Sequence, residues 1–107
     1  MSVRVRAGQG GRPPDGSSLI VQLRDTSVQD APATILGEKR GKVGAGGGDL
    51  LATIEVDAKA RGVRPEVWAH VDVDGDGRVS RGDYVTMQSY PIPDGARPVL
   101  EVTVNRV

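Results

Sequence analysis

Ser18-Leu19-Ile20-Val21-Gln22-Leu23-Arg24-Asp25 is the stretch on which the reading of this chain turns. Leu19, Val21 and Leu23 recur at every second position with Ile20, Gln22 and Arg24 between them. That is the period of a β-strand with one face toward a core and some apolar character on the other. The next residues, Asp25-Thr26-Ser27-Val28-Gln29-Asp30-Ala31-Pro32, carry hydroxyls and carboxylates that bond nearby backbone, and Pro32 ends the turn. A further strand is expected over about 33–38.

The same period recurs on both sides. Residues 2–7 alternate Val3 and Val5 with Arg4 and Arg6, and Gly8 to Gly16, with Pro13 and Pro14, form an irregular link. The glycines of 41–49 bury too little side chain to offset ordering, so this segment is expected to be the most mobile loop. Leu50, Ala52, Ile54 and Val56 mark another strand, and Ala58-Lys59-Ala60-Arg61 fits a single helical turn before Gly62 and Pro65. From Glu66 onward, Val67, Ala69, Val71 and Val73 share one face while Trp68, His70 and Asp72 share the other. Tyr84 to Tyr90 and Val99 to Asn105 complete the set. About seven short strands separated by turns predict an all-β fold, an antiparallel two-sheet β-sandwich forming one domain over 1–107.

Composition agrees. Fifteen glycines and seven prolines imply many reversals, and with no Phe, one Trp and two Tyr the core must be thin and made of branched aliphatics. Lys plus Arg and Asp plus Glu are equal at 14 each, leaving no net field to gather nucleic acid or an anionic membrane. There is no cysteine, which excludes disulfides, thiolate metal sites, a cysteine nucleophile and a lipid-anchor Cys in this chain. No apolar run approaches the length of a membrane span, and the first residues lack the apolar region of a signal peptide. The chain is expected to be soluble as written. Its compartment stays open: the cell envelope or outside if a leader has been removed, the cytoplasm otherwise.

One charge feature is steep. In Asp72-Val73-Asp74-Gly75-Asp76-Gly77-Arg78-Val79-Ser80-Arg81-Gly82-Asp83, carboxylates fall at positions 1, 3, 5 and 12 of a twelve-residue loop, glycine at 6 and serine at 9. These are the ligand positions of an EF-hand calcium loop. The expected ligands are Asp72, Asp74, Asp76, Ser80, Asp83 and the backbone carbonyl of Arg78. Calcium is the expected ion, with magnesium as competitor because Asp83 is shorter than the usual Glu and supplies fewer oxygens. A plain hairpin turn needs only one Asp-Gly pair, whereas three carboxylates at alternate positions repel one another without a cation. The flanks read as strands, so the loop is expected to staple a hairpin rather than open a helix pair.

Other constellations are weak. His70 is the only histidine in a chain without Cys, so it reads as a packed or hydrogen-bonded structural side chain. The serines lie in no nucleophile motif, and the glycine run at 44–48 lacks the Lys-Ser/Thr ending of a phosphate loop. No catalytic activity is expected.

The stretch from Pro13 to Ala33, with an N-terminal strand, a proline and glycine, a second strand and then Leu23, Asp25, Ser27 and Asp30-Ala31-Pro32, resembles the YbaY-like family of bacterial lipoproteins, which is related to the YscW-type pilotins. Weaker likeness continues to about Ile92. The resemblance implies a β-sandwich exposed to the envelope, whose pilotin relatives act as chaperones for an outer-membrane secretin, with Asp25, Ser27, Asp30 and Pro32 as turn-forming positions. Two readings follow. The preferred one is a calcium-stabilised β-sandwich binding or accessory module. The alternative is a pilotin-like chaperone or envelope interaction protein that captures a peptide segment of a protein partner by strand addition.

Overall fold

The computed structural model describes residues 2–8, 10–25, 34–44, 48–56, 65–88, 90–91 and 99–107. Seven strands run through them: β1 (Ser2–Ala7), β2 (Ser18–Asp25), β3 (Thr34–Lys42), β4 (Leu50–Glu55), β5 (Pro65–Asp72), β6 (Tyr84–Thr86) and β7 (Val99–Arg106). No helix occurs among the described residues. The alternating segments all become strands, since a period of two buries one face only in an extended chain. The helical turn expected at Ala58–Arg61 lies outside the described residues.

The two-sheet antiparallel sandwich is not what forms. All seven strands join one sheet in the order β3-β2-β5-β6-β7-β1-β4. The reason lies in β6 and β1. Short as it is, β6 pairs with β5 through His70 and Val71 and with β7 through Tyr84 to Thr86, so it bridges what would otherwise be two sheets. The N-terminal strand β1 then lies parallel to β7, from Ser2 opposite Val99 to Ala7 opposite Val104, and antiparallel to β4. The sheet is therefore mixed.

It also curls nearly into a barrel. At the meeting of the two outermost strands, the Gly44 amide donates to the Leu51 carbonyl at 2.8 Å. A Cβ placed on Gly41 would lie 2.7 Å from Ile54 Cδ1, so the Ile54 side chain packs directly over this glycine. Twisted sheets coil naturally, and here the coil turns one face inward. Val3, Val5, Leu19, Val21, Val71 and Val104 fill that interior, each fully buried. On β5, Val67, Ala69 and Val71 point in, as their period required. On β2 the opposite face is covered too: Gln22 bonds Glu38 at 2.8 Å, and Arg24 bonds Gln22 at 2.9 Å while stacking 3.9 Å over Trp68.

One expectation about boundaries changes. The strand foreseen at 84–90 stops at Thr86, leaves Met87 and Gln88 exposed, and resumes pairing only where Val67 N–H donates to Tyr90 O at 2.9 Å and Glu66 bridges Pro91. The described ends of the glycine-rich segment, residues 41–44 and 48–49, are bonded to the rest of the fold, and its centre, on which the mobility expectation falls, lies outside the described residues. Gly41 and Lys42 extend β3, Val43 is buried, and the Arg12 guanidinium donates to the carbonyls of Gly44, Gly48 and Leu50. An arginine more than thirty residues away supplies bonds that the loop's own side chains lack.

Leu23, only 4 % exposed, tests this core. Leu23→Ala is expected to cost about 2–5 kcal/mol by leaving a cavity, measured as a lowered midpoint in urea unfolding. Gly41→Val is expected to lower the midpoint as well by pushing Ile54 away, whereas Gly37→Ala, whose Cβ meets nothing within 4 Å, should change it little.

Candidate metal centre

Between β5 and β6 the chain makes a loop at the end of the barrel, and its two ends are the buried carboxylates. Asp72 closes β5 and is 5 % exposed, and Asp83 precedes β6 and is 1 % exposed, whereas Asp74 and Asp76 face solvent. Gly75 and Gly77 take φ values of 74° and 76°, the left-handed region that side chains disfavour, and the loop folds back at those two points. The reversal aims backbone N–H groups inward. Asp72 accepts from Gly75 N at 3.0 Å and Gly77 N at 2.7 Å, while Asp76 accepts from Arg78 N at 2.9 Å. Ser80 Oγ donates to Asp74 at 2.9 Å. Among its influences, that hydroxyl contributes most to holding the Asp74 carboxyl below the usual carboxylate range, ahead of Asp72 and Asp76.

Four carboxylates, those of Asp72, Asp74, Asp76 and Asp83, each bring one oxygen within 4.8 Å of the others. Two oxygens on opposite sides of one calcium ion lie about 4.6–5.2 Å apart, twice the ion–oxygen distance, so the grouping has the right size for a hard cation. The donor set is also of the right kind, all oxygen. Asp72, Asp74 and Asp76, three of the ligands expected from the spacing, lie in this grouping, and Ser80 sits beside them. The Arg78 amide is engaged with Asp76.

Asp83 is different. Its Oδ2 lies 2.8 Å from His70 Nε2 and accepts from Ser80 N at 3.2 Å, while its Oδ1 accepts from Val73 N at 2.9 Å. Burial raises the Asp83 pKa, but the hydrogen bonds from His70 and from the amides of Val73 and Ser80 outweigh it and leave the carboxyl below its usual range. The loop is exposed from Val73 to Val79, and its last residue is a buried anchor. Through its backbone Asp83 accepts from Val107 N at 2.9 Å, and Gly82 N donates to Val107 O at 2.9 Å, so the anchor also holds the end of β7.

His70 is both packed and hydrogen-bonded. It is 2 % exposed, tilts against Trp68 at 5.6 Å, and lies with Asp72 and Asp83 in a second grouping of candidate ligands. The available signal was its place two residues before Asp72 on the same strand face. What spacing along one chain does not show is that Asp83, across the hairpin, returns to it.

These roles separate by substitution without any added ion. Asp83→Ala leaves His70 and the Val73 and Ser80 amides without their acceptor, at about 1–3 kcal/mol for each buried group, and should lower the urea midpoint strongly. Asp76→Ala, at the exposed turn, should stay within about 0.5 kcal/mol of the parent. The pH dependence has a defined sign. A carboxyl with a lowered folded-state pKa stabilises fully above its unfolded value of about 3.9, and that stability is lost as pH falls through the folded value. Asp83→Asn should flatten the acid limb of a plot of melting temperature against pH.

No protein-family model and no curated protein matches the sequence. Among solved structures, the chain is similar to an alternative pilotin from the type II secretion system of Vibrio cholerae, with a TM-score of 0.72 and 23 % sequence identity over 100 % of this chain and 95 % of that one. At that identity the likeness establishes a shared fold.

Proposed function

We propose that this chain is a non-catalytic, pilotin-like accessory protein that captures a segment of a protein partner. The observation that carries the reading is the likeness to the Vibrio cholerae pilotin, which spans the whole chain instead of one motif. The resemblance of residues 13–33 to YbaY-like lipoproteins and YscW-type pilotins points the same way from sequence. Of the positions that carry it, Asp25 ends β2 opposite Pro65, while Ser27, Asp30 and Pro32 lie outside the described residues. The partner class is a subunit of an envelope secretion channel. Titration of the purified chain with the C-terminal segment of a secretin-type subunit from the same genome is expected to give saturable binding by calorimetry. Absence of binding to any secretin segment from that genome would sink the reading.

A second reading concerns the acidic loop, supported by the convergence of Asp72, Asp74, Asp76 and Asp83 and by their all-oxygen donor set. Calcium bound there would neutralise carboxylates that repel one another and fix the β5–β6 connection; its role would be structural, with magnesium as competitor. An ion held only by the folded loop stabilises it by mass action, by about 2.7 kcal/mol at a hundredfold excess over the dissociation constant. Chelator-treated protein should therefore melt higher in calcium than in potassium at equal ionic strength, and Asp72→Asn or Asp74→Asn should remove the gain. Asp83→Glu, which restores the usual EF-hand residue, should destabilise the protein in either salt, because the longer chain displaces the oxygens bonded to His70 and Val73. An unchanged melting temperature up to millimolar calcium would remove this second reading.

A further inference from the structure

We propose that the outward edge of β3 is the strand-addition site of this protein and that its occupant is an extended, acidic segment of the partner. The inference rests on the accessory-protein reading above and names the surface that would serve it.

β3 is one of the two outermost strands of the sheet, and among the described residues it forms a ladder with β2 alone. Consecutive in the chain, β3 and β4 begin as a hairpin and do not complete it. Gly44 N bonds Leu51 O and Arg12 clasps the carbonyls on either side of the turn, yet no β3–β4 ladder follows. At the next step Ile54 rests its side chain against Gly41. The seam is closed at its Gly44 end and unzipped beyond it.

The edge has a definite polarity. Val43 is bonded toward the β2 side, donating to Ser17 O at 2.9 Å and accepting from Gly16 N at 2.8 Å, while Gly44 donates the other way, to Leu51. In an antiparallel ladder both backbone groups of a residue point to one side and alternate along the strand. Lys42, Arg40 and Glu38 therefore turn their N–H and C=O groups outward, a row of donors and acceptors for one more strand.

Charge then selects the occupant. Lys39, Arg40 and Lys42 are exposed, and Lys39 and Lys42 have no ion pair among the described residues, while Glu38 is taken by Arg40 at 3.1 Å and Gln22 at 2.8 Å. Lysines on an edge strand ordinarily deter pairing. They deter a second copy of this chain, since β3 against β3 would set lysine beside lysine. An acidic strand meets the same charges as an attraction. The inward positions alternate as Gly37, Lys39 and Gly41, and Gly37 leaves open space where a side chain would stand, which gives room for small apolar residues of the added strand.

The test uses the full chain and a capped peptide of alternating Asp and Val, followed by amide shifts in NMR titration. The largest shifts are expected at Glu38, Arg40 and Lys42, and the corresponding Lys-Val peptide should not bind. Methylating the peptide's backbone nitrogens separates strand addition from charge attraction. Because an added strand bonds through alternate residues, methylation at one alternate set should weaken binding at least about tenfold and at the other set far less. Arg40→Glu with Lys42→Glu, which lie on one face of β3, should exchange the preference to the Lys-Val peptide. Equal binding by both methylated peptides, no β3 shifts at millimolar peptide, or a concentration-dependent dimer in sedimentation that protects β3 would each overturn the proposal. So would a secretin segment that binds while the β3 amides stay unmoved. In that case the accessory role would stand and this location for it would fall.

Discussion

A sheet of valines and leucines with one apolar face, and no helix among the described residues to lay across it, buries that face only by rolling up. Closure of the roll is the constraint on which the rest of this structure depends. It comes about as β6 bridges β5 and β7, β1 slips in parallel beside β7, and Ile54 of β4 packs over Gly41 of β3. With no phenylalanine to fill space, the interior must be narrow, and a tightly coiled sheet of short strands is the shape that makes it so.

The ends of the roll are held by polar contacts rather than packing. At one corner Arg12 gathers three carbonyls around the turn between β3 and β4, and on the neighbouring rim Tyr84 donates to Gly10 O at 3.0 Å. Asp83 performs the same service between β5, β6 and the end of β7, through His70, Val73, Ser80 and Val107. Each is a polar side chain whose hydrogen bonds tie together backbone groups of segments distant along the chain. The outer ion pairs of Arg4 and Arg6 with Glu101 and Asp49 are more exposed and contribute less.

The acidic loop shows how one motif divides its work. Asp72 spans it from the buried side, Asp74 and Asp76 lie at its exposed turn, and Asp83, which the spacing grouped with them, is already committed to the fold. Exposed carboxylates and a buried structural one share twelve residues, so their contributions are separable by substitution, although position along the chain treats all four aspartates alike.

Local chemistry was legible in the sequence. The alternation at Leu19, Val21 and Leu23, and again at Val67, Ala69 and Val71, identifies strands and their buried faces, because side-chain direction in an extended chain depends only on parity. The aspartate spacing identifies the loop for a similar reason, since a turn of fixed length carries its own geometry. Which strand lies beside which was decided only in three dimensions. The parallel pairing of β1 with β7, the single sheet in place of two, the bonds of Arg12 to the carbonyls of Gly44, Gly48 and Leu50 and the bond between Asp83 and His70 all join residues distant along the chain or on opposite sides of a hairpin. Periodicity records which way a residue faces, and it is the closing of the sheet that determines what it meets there.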